Sequence, residues 1–229
     1  MSSAEEPRRV VMMGSTGAVG GHAAAGLAGL PEVARLTLLG RRPTEGVAGD
    51  GVEQHTVDAL DPPTYAAHLE GHDAAVCTLG VGEPSKVDRD TFVRIDKQAV
   101  LDFARGCREA GVRHFELLSS VGTDAQSRSF YLRCKGELED GLRALNFDRL
   151  SLFHPSMILT PHNRYGWTQG LTLRVWPWLN PLLMGPLRKF RGVPVATLGL
   201  SMAYNVALPG TGEEVLHWDD FARIVAERR

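Results

Sequence analysis

Cysteine is scarce in this chain. Cys77, Cys107 and Cys134 are odd in number, widely spaced and without a C-x-x-C pair. That excludes a disulfide scaffold and the common zinc and redox motifs, and it reads as three reduced thiols in a cytoplasmic protein. Long apolar runs are also missing. The longest stretch, 171–187, is broken by Arg174, Asn180 and three prolines, whereas a membrane span needs about 20 nearly uninterrupted apolar residues. Residues Met1 to Arg9 are polar and carry no apolar leader core,. There is no excess of either charge. Lys and Arg total 25 against 27 Asp and Glu, a formal net charge of -2, so nothing draws the chain globally to nucleic acid or anionic lipid. The small basic cluster Leu187-Arg188-Lys189-Phe190-Arg191 reads as a solvated face,. A Gly-x-Ser-x-Gly hydrolase elbow is absent,. The histidines are scattered. His68 and His72 have helical spacing, but Gly71 lies between them and no acidic or cysteine partner is evident, so no metal site is expected,.

What is present is an alternation of strands and helices. With 229 residues and 43% of them apolar, the chain can build a full core without cross-links,. Strands are expected at Val10 to Met13, Arg35 to Leu39, Val52 to Val57, Ala74 to Leu79, His114 to Leu118 and Arg149 to Phe153. Between them lie an alanine-rich helix to about Leu30, a short helix from Pro63 to Leu69, and a long helix capped by Asp90 or Thr91. A further helix runs from about Phe130 to Leu145. This order implies an α/β, Rossmann-type doubly wound parallel sheet. The expectation is a single domain over residues 1–229, with a cofactor part at about 8–155. The pattern loosens after His154, and residues 156–229 read as a small C-terminal substrate-side extension or an oligomer surface. Trp167, Trp176 and Trp178 fall in it and suit packing better than a substrate pocket. A short strand from Val215 to Trp218 and a helix capped by Asp219 close the chain.

Gly14-Ser15-Thr16-Gly17-Ala18-Val19-Gly20 sits where the first strand gives way to a helix. Glycines there let backbone approach a pyrophosphate, and the helix offers unpaired N–H groups and the positive end of its dipole. The context of strand, loop and helix makes this a dinucleotide-binding loop, and the G-x-x-G-x-x-G spacing points to short-chain dehydrogenases. A second strand that binds NAD usually ends in a carboxylate for the ribose hydroxyl. Here it runs into Gly40-Arg41-Arg42. Two guanidiniums suit a 2′-phosphate, so NADP is expected rather than NAD, with Arg41 the stronger contact. Asp58 at the end of the third strand, and Leu79 and Gly80 at the end of the fourth, are further candidate cofactor contacts.

Tyr131 and Lys135 are four apart on an expected helix and so share a face,. A neighbouring ammonium favours a phenolate, which lets a tyrosine exchange a proton with a carbonyl or alcohol oxygen while hydride moves to or from a nicotinamide. Ser119 and Ser120 end the fifth strand. Ser120, farther out, is the candidate that orients the reacting oxygen, and Ser119 a cofactor contact.

Together, Gly14 to Gly20, Leu39-Gly40-Arg41-Arg42, Leu117-Leu118-Ser119-Ser120-Val121-Gly122 and Ser129 to Glu139 resemble the atypical short-chain dehydrogenases. Within them the chain is similar to the Tat-interacting-protein-like oxidoreductase branch. The resemblance is good over about residues 8–160 and weak beyond. It implies a Rossmann sheet, NADP and a Ser120-Tyr131-Lys135 set, with Lys135 also holding the nicotinamide ribose. The sixth strand of that branch commonly ends Arg-Pro-Gly, but here it reads Phe153-His154-Pro155-Ser156. Pro155 keeps the turn that would pass the carboxamide. His154 puts a titratable cation where a permanent one is usual.

The expected activity is NADPH-dependent reduction of a small carbonyl compound, with a homodimer as a further expectation. Two alternatives remain open from sequence: an NADP-sensing regulatory binding protein with little catalysis, and an epimerase or dehydratase.

Overall fold

The computed structural model describes residues 7–160 and 184–228. Seven strands form a sheet in the order β3-β2-β1-β4-β5-β6-β9, and every neighbouring pair is parallel. They are β1 (Arg8–Met13), β2 (Val33–Gly40), β3 (Val52–Thr56), β4 (Ala74–Cys77), β5 (His114–Leu118), β6 (Arg149–Phe153) and β9 (Gly212–Leu216). A second, two-stranded parallel pair joins β7 (Ile158–Leu159) to β8 (Val193–Pro194). The chain moves outward from β1 to β3, then returns to lay β4 against the other side of β1. That reversal opens a crevice beyond the carboxyl ends of β1 and β4, where sheets of this kind take their ligands.

Both faces of the sheet are covered, which explains why its central strands are continuous apolar runs instead of alternating ones. On one face Val10, Met12, Leu36 and Leu38 pack under α1 (Ala18–Ala28), α5 (Val195–Val206) and α6 (Trp218–Ala226). On the other, Val11, Met13, Ala75 and Cys77 pack under α3 (Ala99–Glu109) and α4 (Phe130–Arg143). All three cysteines are free and buried in this core. Burial pushes the Cys77 thiol up to about 12.

Several sequence expectations are corrected. The loosened region contains α5, a full helix packed on α1. Its inner residues Leu198, Gly199, Met202 and Ala203 are buried, and a Cβ on Gly199 would lie 2.5 Å from the Cβ of His22. A helix apolar on most sides shows little of the polar contrast that marks surface helices. The long helix starts with α2 (Arg89–Val93), capped by Asp88, whose carboxylate accepts from Thr91 N at 2.8 Å. Neither Asp90 nor Thr91 is the cap. A π-helical turn at Arg94–Gln98 then separates α2 from α3. The short helix is two 3-10 turns, Pro62–Thr64 and Ala66–His68. Strand β4 stops at Cys77, β3 at Thr56 and β9 at Leu216; α1 ends at Ala28 and α4 at Arg143. His217 is the N-cap of α6, with Asp220 accepting from its backbone N–H at 2.9 Å, so Asp219 is not the cap. His162, Trp167, Trp176 and Trp178 lie outside the described residues.

At the opposite end of the sheet from the crevice, sequence reading missed a buried polar network. The Arg149 guanidinium donates to Glu214 at 2.8 Å, to Leu208 O at 2.6 Å and to Asn205 Oδ1 at 3.0 Å, joining β6, β9 and the end of α5. Asn205 also donates to Glu116 Oε1 at 2.9 Å. Burial pushes the Glu116 carboxyl well above its ordinary range.

Candidate cofactor and active site

The glycine loop caps the crevice. Gly14 has φ +96°, in the left-handed region, and its carbonyl accepts from Gly17 N at 3.0 Å and from the Thr78 hydroxyl at 3.0 Å. A Cβ on Gly14 would lie 2.6 Å from Leu79 N, and one on Gly20 would lie 2.1 Å from Gly14 O. These two glycines therefore let β1, β4 and α1 converge. Gly17 is different. It is exposed and is the N-cap of α1 with no side-chain cap; a Cβ there would meet only Gly14 O, at 3.3 Å. The first N–H groups of a helix need an outside partner. An open backbone at an uncapped helix start is what a pyrophosphate requires, so these residues fit a dinucleotide.

The remaining loop residues divide by role. Thr16 is exposed and Ala18 half-buried, whereas Val19 is buried in the core. Ser15 is buried, with its hydroxyl 2.6 Å from that of Thr44. Gln54 takes Thr44 N at 2.7 Å and donates to Val47 O at 2.7 Å. Ser15 and Gln54 thus fix the segment that carries Arg41 and Arg42. Both arginines are exposed, and among the described residues neither has an ion-pair partner. Asp58 is exposed and its carboxylate accepts from Leu60 N at 2.9 Å.

Tyr131 and Lys135 lie on α4 as expected. Tyr131 is half-buried and packs on Phe92, with ring centroids 5.7 Å apart. Lys135 is 4% exposed, and its Nζ sits 3.0 Å from Asp96 Oδ1. Asp96 was not anticipated. It comes from the π-helical turn, and its other oxygen accepts from Val81 N at 2.7 Å. A Cβ on the exposed Gly80 would lie 2.9 Å from Asp96 Oδ1. The Leu79-Gly80-Val81 exit of β4 is therefore tied to the lysine through one carboxylate. Burial opposes the charge on Lys135, but Asp96, and after it Tyr131, carry its pKa above the ordinary lysine value. A signal for Asp96 existed in the sequence. It falls on the apolar stripe Phe92, Ile95, Ala99, Phe103, where a carboxylate needs a partner,.

The two serines part ways. Ser119 is buried and gives its hydroxyl to Glu139. Ser120 is half-buried, and its hydroxyl has only a 3.5 Å contact with Val121 O. Pro155 is buried and its carbonyl accepts from Val121 N at 3.0 Å. His154 is buried, with Nε2 2.8 Å from Glu139 Oε1. The departure from Arg-Pro-Gly is thus directed inward, to a carboxylate of α4. Of the other histidines, His68 stacks on His55 at 3.8 Å and His72 meets the Thr37 hydroxyl at 2.9 Å. Among the described residues no group of ligands could hold a metal, and no helix is long and apolar enough to cross a membrane.

The strand order, the glycine loop and the crevice define an NAD(P)-binding protein with an oxidoreductase-like Rossmann fold. Residues 14–149 match the family model described as NAD(P)H-binding, and the chain belongs to that family. It is similar to protein HTATIP2 of Rattus norvegicus, with 34% identity over 212 residues, 90% of this chain and 84% of that protein. This agrees with the resemblance to the Tat-interacting-protein-like branch. The mitochondrial protein fmp52 of Emericella nidulans is 29% identical over 154 residues, 65% of this chain and 66% of its own. Among solved structures, MoeE5 in complex with UDP-glucuronic acid and NAD has a TM-score of 0.69 at 15% identity, covering 91% of this chain and 75% of that one. The Citrobacter sp. triphenylmethane reductase complexed with NADP(H) has a TM-score of 0.63 at 16% identity, covering 96% and 75%. At those identities the structures share the fold.

Proposed function

We propose that this protein is an NADP(H)-dependent oxidoreductase that reduces a small carbonyl compound. The observation that carries the reading is the pair on α4: Tyr131 half-buried, with the buried Lys135 one helical turn away on the same face,. Bound NADPH would supply the hydride. Tyr131 donates its phenolic proton to the carbonyl oxygen as that oxygen becomes an alcohol. Lys135 stabilises the phenolate left behind, and the Ser120 hydroxyl, nearly free of other partners, donates to the same oxygen,. Lys135 would also hold the nicotinamide ribose. Along the loop, Gly17 and its neighbours Ser15, Thr16, Ala18 and Val19 offer backbone to the pyrophosphate. Asp58, Leu79, Gly80, Ser119 and Pro155 line the rest of the cofactor path.

The test is a panel of aldehydes and ketones assayed for NADPH oxidation. Tyr131→Phe is expected to lower turnover by about a hundredfold or more, the size of a lost general acid, with NADPH binding retained. Turnover unchanged in that variant removes Tyr131 from the mechanism. The two exposed guanidiniums, without an ion-pair partner among the described residues, support NADP over NAD,. Arg41→Ala is expected to weaken NADPH binding by about tenfold while leaving NADH nearly unaffected, as loss of one charge-assisted bond does. Equal losses for both cofactors in a binding titration refute the phosphate assignment. A second reading, an NADP-sensing protein with little turnover, draws on the buried Lys135–Asp96 pair, which already occupies the lysine. It predicts NADPH binding with no oxidation of it by any carbonyl. Net release of NADP during turnover separates a reductase from an epimerase or dehydratase.

A further inference from the structure

We propose that Glu139 is a positioning residue that sets the place of Ser120, with His154 as its buried counter-group; this rests on the oxidoreductase reading above. Glu139 follows Lys135 by one helical turn and Tyr131 by two, so the three share a face of α4,. It is 3% exposed. Its Oε1 accepts from the Thr123 hydroxyl at 2.9 Å, from His154 Nε2 at 2.8 Å and from the hydroxyl of Ser119. Arg143 approaches its other oxygen at 3.4 Å.

These donors come from the two strand exits that flank Ser120. Ser119 and Thr123 bracket it on the loop after β5, and His154 begins the turn after β6. The backbone repeats the link: Ser119 N donates to Phe153 O at 2.8 Å and Val121 N to Pro155 O at 3.0 Å. Ser120 itself contributes almost nothing to its own placement, its hydroxyl reaching only Val121 O at 3.5 Å. The loop is held through its neighbours, and their side chains converge on one carboxylate. Burial pushes the Glu139 pKa up, but the bonds from His154, Ser119 and Thr123 outweigh it and hold the group below its ordinary range. A charged hub with several donors is stiffer than an apolar contact of the same size. Ser120 is thereby held at a constant distance from α4, the helix that carries Tyr131.

Glu139→Gln, His154→Leu and His154→Arg test the inference, each read by steady-state kinetics, NADPH titration and amide hydrogen exchange of residues 119–123. Glu139→Gln and His154→Leu are expected to lower kcat by about tenfold to a hundredfold, the usual result of a small misplacement, with a much smaller change in NADPH affinity. His154→Arg restores a charge-assisted donor and is expected to recover most of the loss seen in His154→Leu. Exchange at 119–123 should quicken by about tenfold in the two disruptive variants, with β5 itself unaffected. A kcat and an exchange rate unchanged in Glu139→Gln overturn the proposal. So does His154→Arg that is no better than His154→Leu. If the wild-type protein turns over no carbonyl, the oxidoreductase reading fails, and the exchange measurement alone still decides whether Glu139 and His154 position this loop.

Discussion

Replacing Gly20 by alanine is expected to abolish dinucleotide binding. The added methyl would sit 2.1 Å from Gly14 O and 2.6 Å from the Thr78 hydroxyl. Neither neighbour can retreat. The Gly14 carbonyl is held by Gly17 N and Thr78, and Gly14 itself cannot move toward β4, because a Cβ there already falls within 2.6 Å of Leu79 N. The loop must therefore open away from α1, which breaks the alignment of the helix N-terminus with the crevice. Overpacking of this kind costs about 1–3 kcal/mol of stability. Gly17→Ala provides the contrast. Gly17 has φ -75°, which any residue adopts, and its Cβ direction is open apart from Gly14 O at 3.3 Å. That variant should keep its melting temperature yet bind NADPH more weakly, since the methyl projects where the backbone would meet phosphate. Thermal unfolding and NADPH titration distinguish the two. A Gly20→Ala protein that binds NADPH normally would contradict the packing described.

Lys135→Met is expected to destabilise the fold by about 3–5 kcal/mol, the cost of leaving one member of a buried ion pair alone. The stranded group is Asp96, whose side chain is 4% exposed and, among the described residues, keeps only Val81 N as a partner. The double variant Lys135→Met with Asp96→Asn should recover most of that loss, because the amide oxygen can still accept from Val81 N and no charge remains buried. A double-mutant cycle by chemical denaturation measures the coupling. The dependence on pH has a definite sign. The folded-state pKa of Lys135 is raised, so its contribution is complete below the unfolded lysine value near 10.4 and is lost as pH climbs through the folded value,. Wild-type stability should therefore fall more steeply than that of the double variant in the alkaline range. Lys135→Met as stable as wild type would remove the ion pair from any structural or electrostatic role.

Much of the site was legible because its signals are local. Gly14, Gly17 and Gly20 are spaced by the geometry of one turn, and Tyr131 and Lys135 by one turn of helix. Strands β1 and β4 were legible because both their faces are buried, which leaves the unbroken apolar runs Val10 to Met13 and Ala74 to Cys77,. Helix α5 was not, because its polar face is too small to produce a period. The caps at Asp88 and His217 were misplaced by two to three residues, since several neighbouring side chains could serve and only the backbone path selects among them.

The partners of Asp96, Glu139 and His154 were illegible for a different reason. Asp96 on its apolar stripe calls for a partner, and His154 stands out at its strand end, but nothing near any of the three residues says which group it meets. Asp96 finds Lys135 across 39 positions, and His154 finds Glu139 across 15. Nothing local specifies those partners; the packing of α4 and the π-helical turn against the strand exits does. The parallel sheet, the dinucleotide loop and the tyrosine–lysine pair are written in periodicity and spacing, because these encode backbone conformation. Packing alone settles which buried charges meet, that Ser119 turns to a carboxylate while Ser120 stays nearly unpartnered, and that His154 faces inward. Those outcomes depend on desolvating charged groups together, and that free energy exists only once the elements have packed.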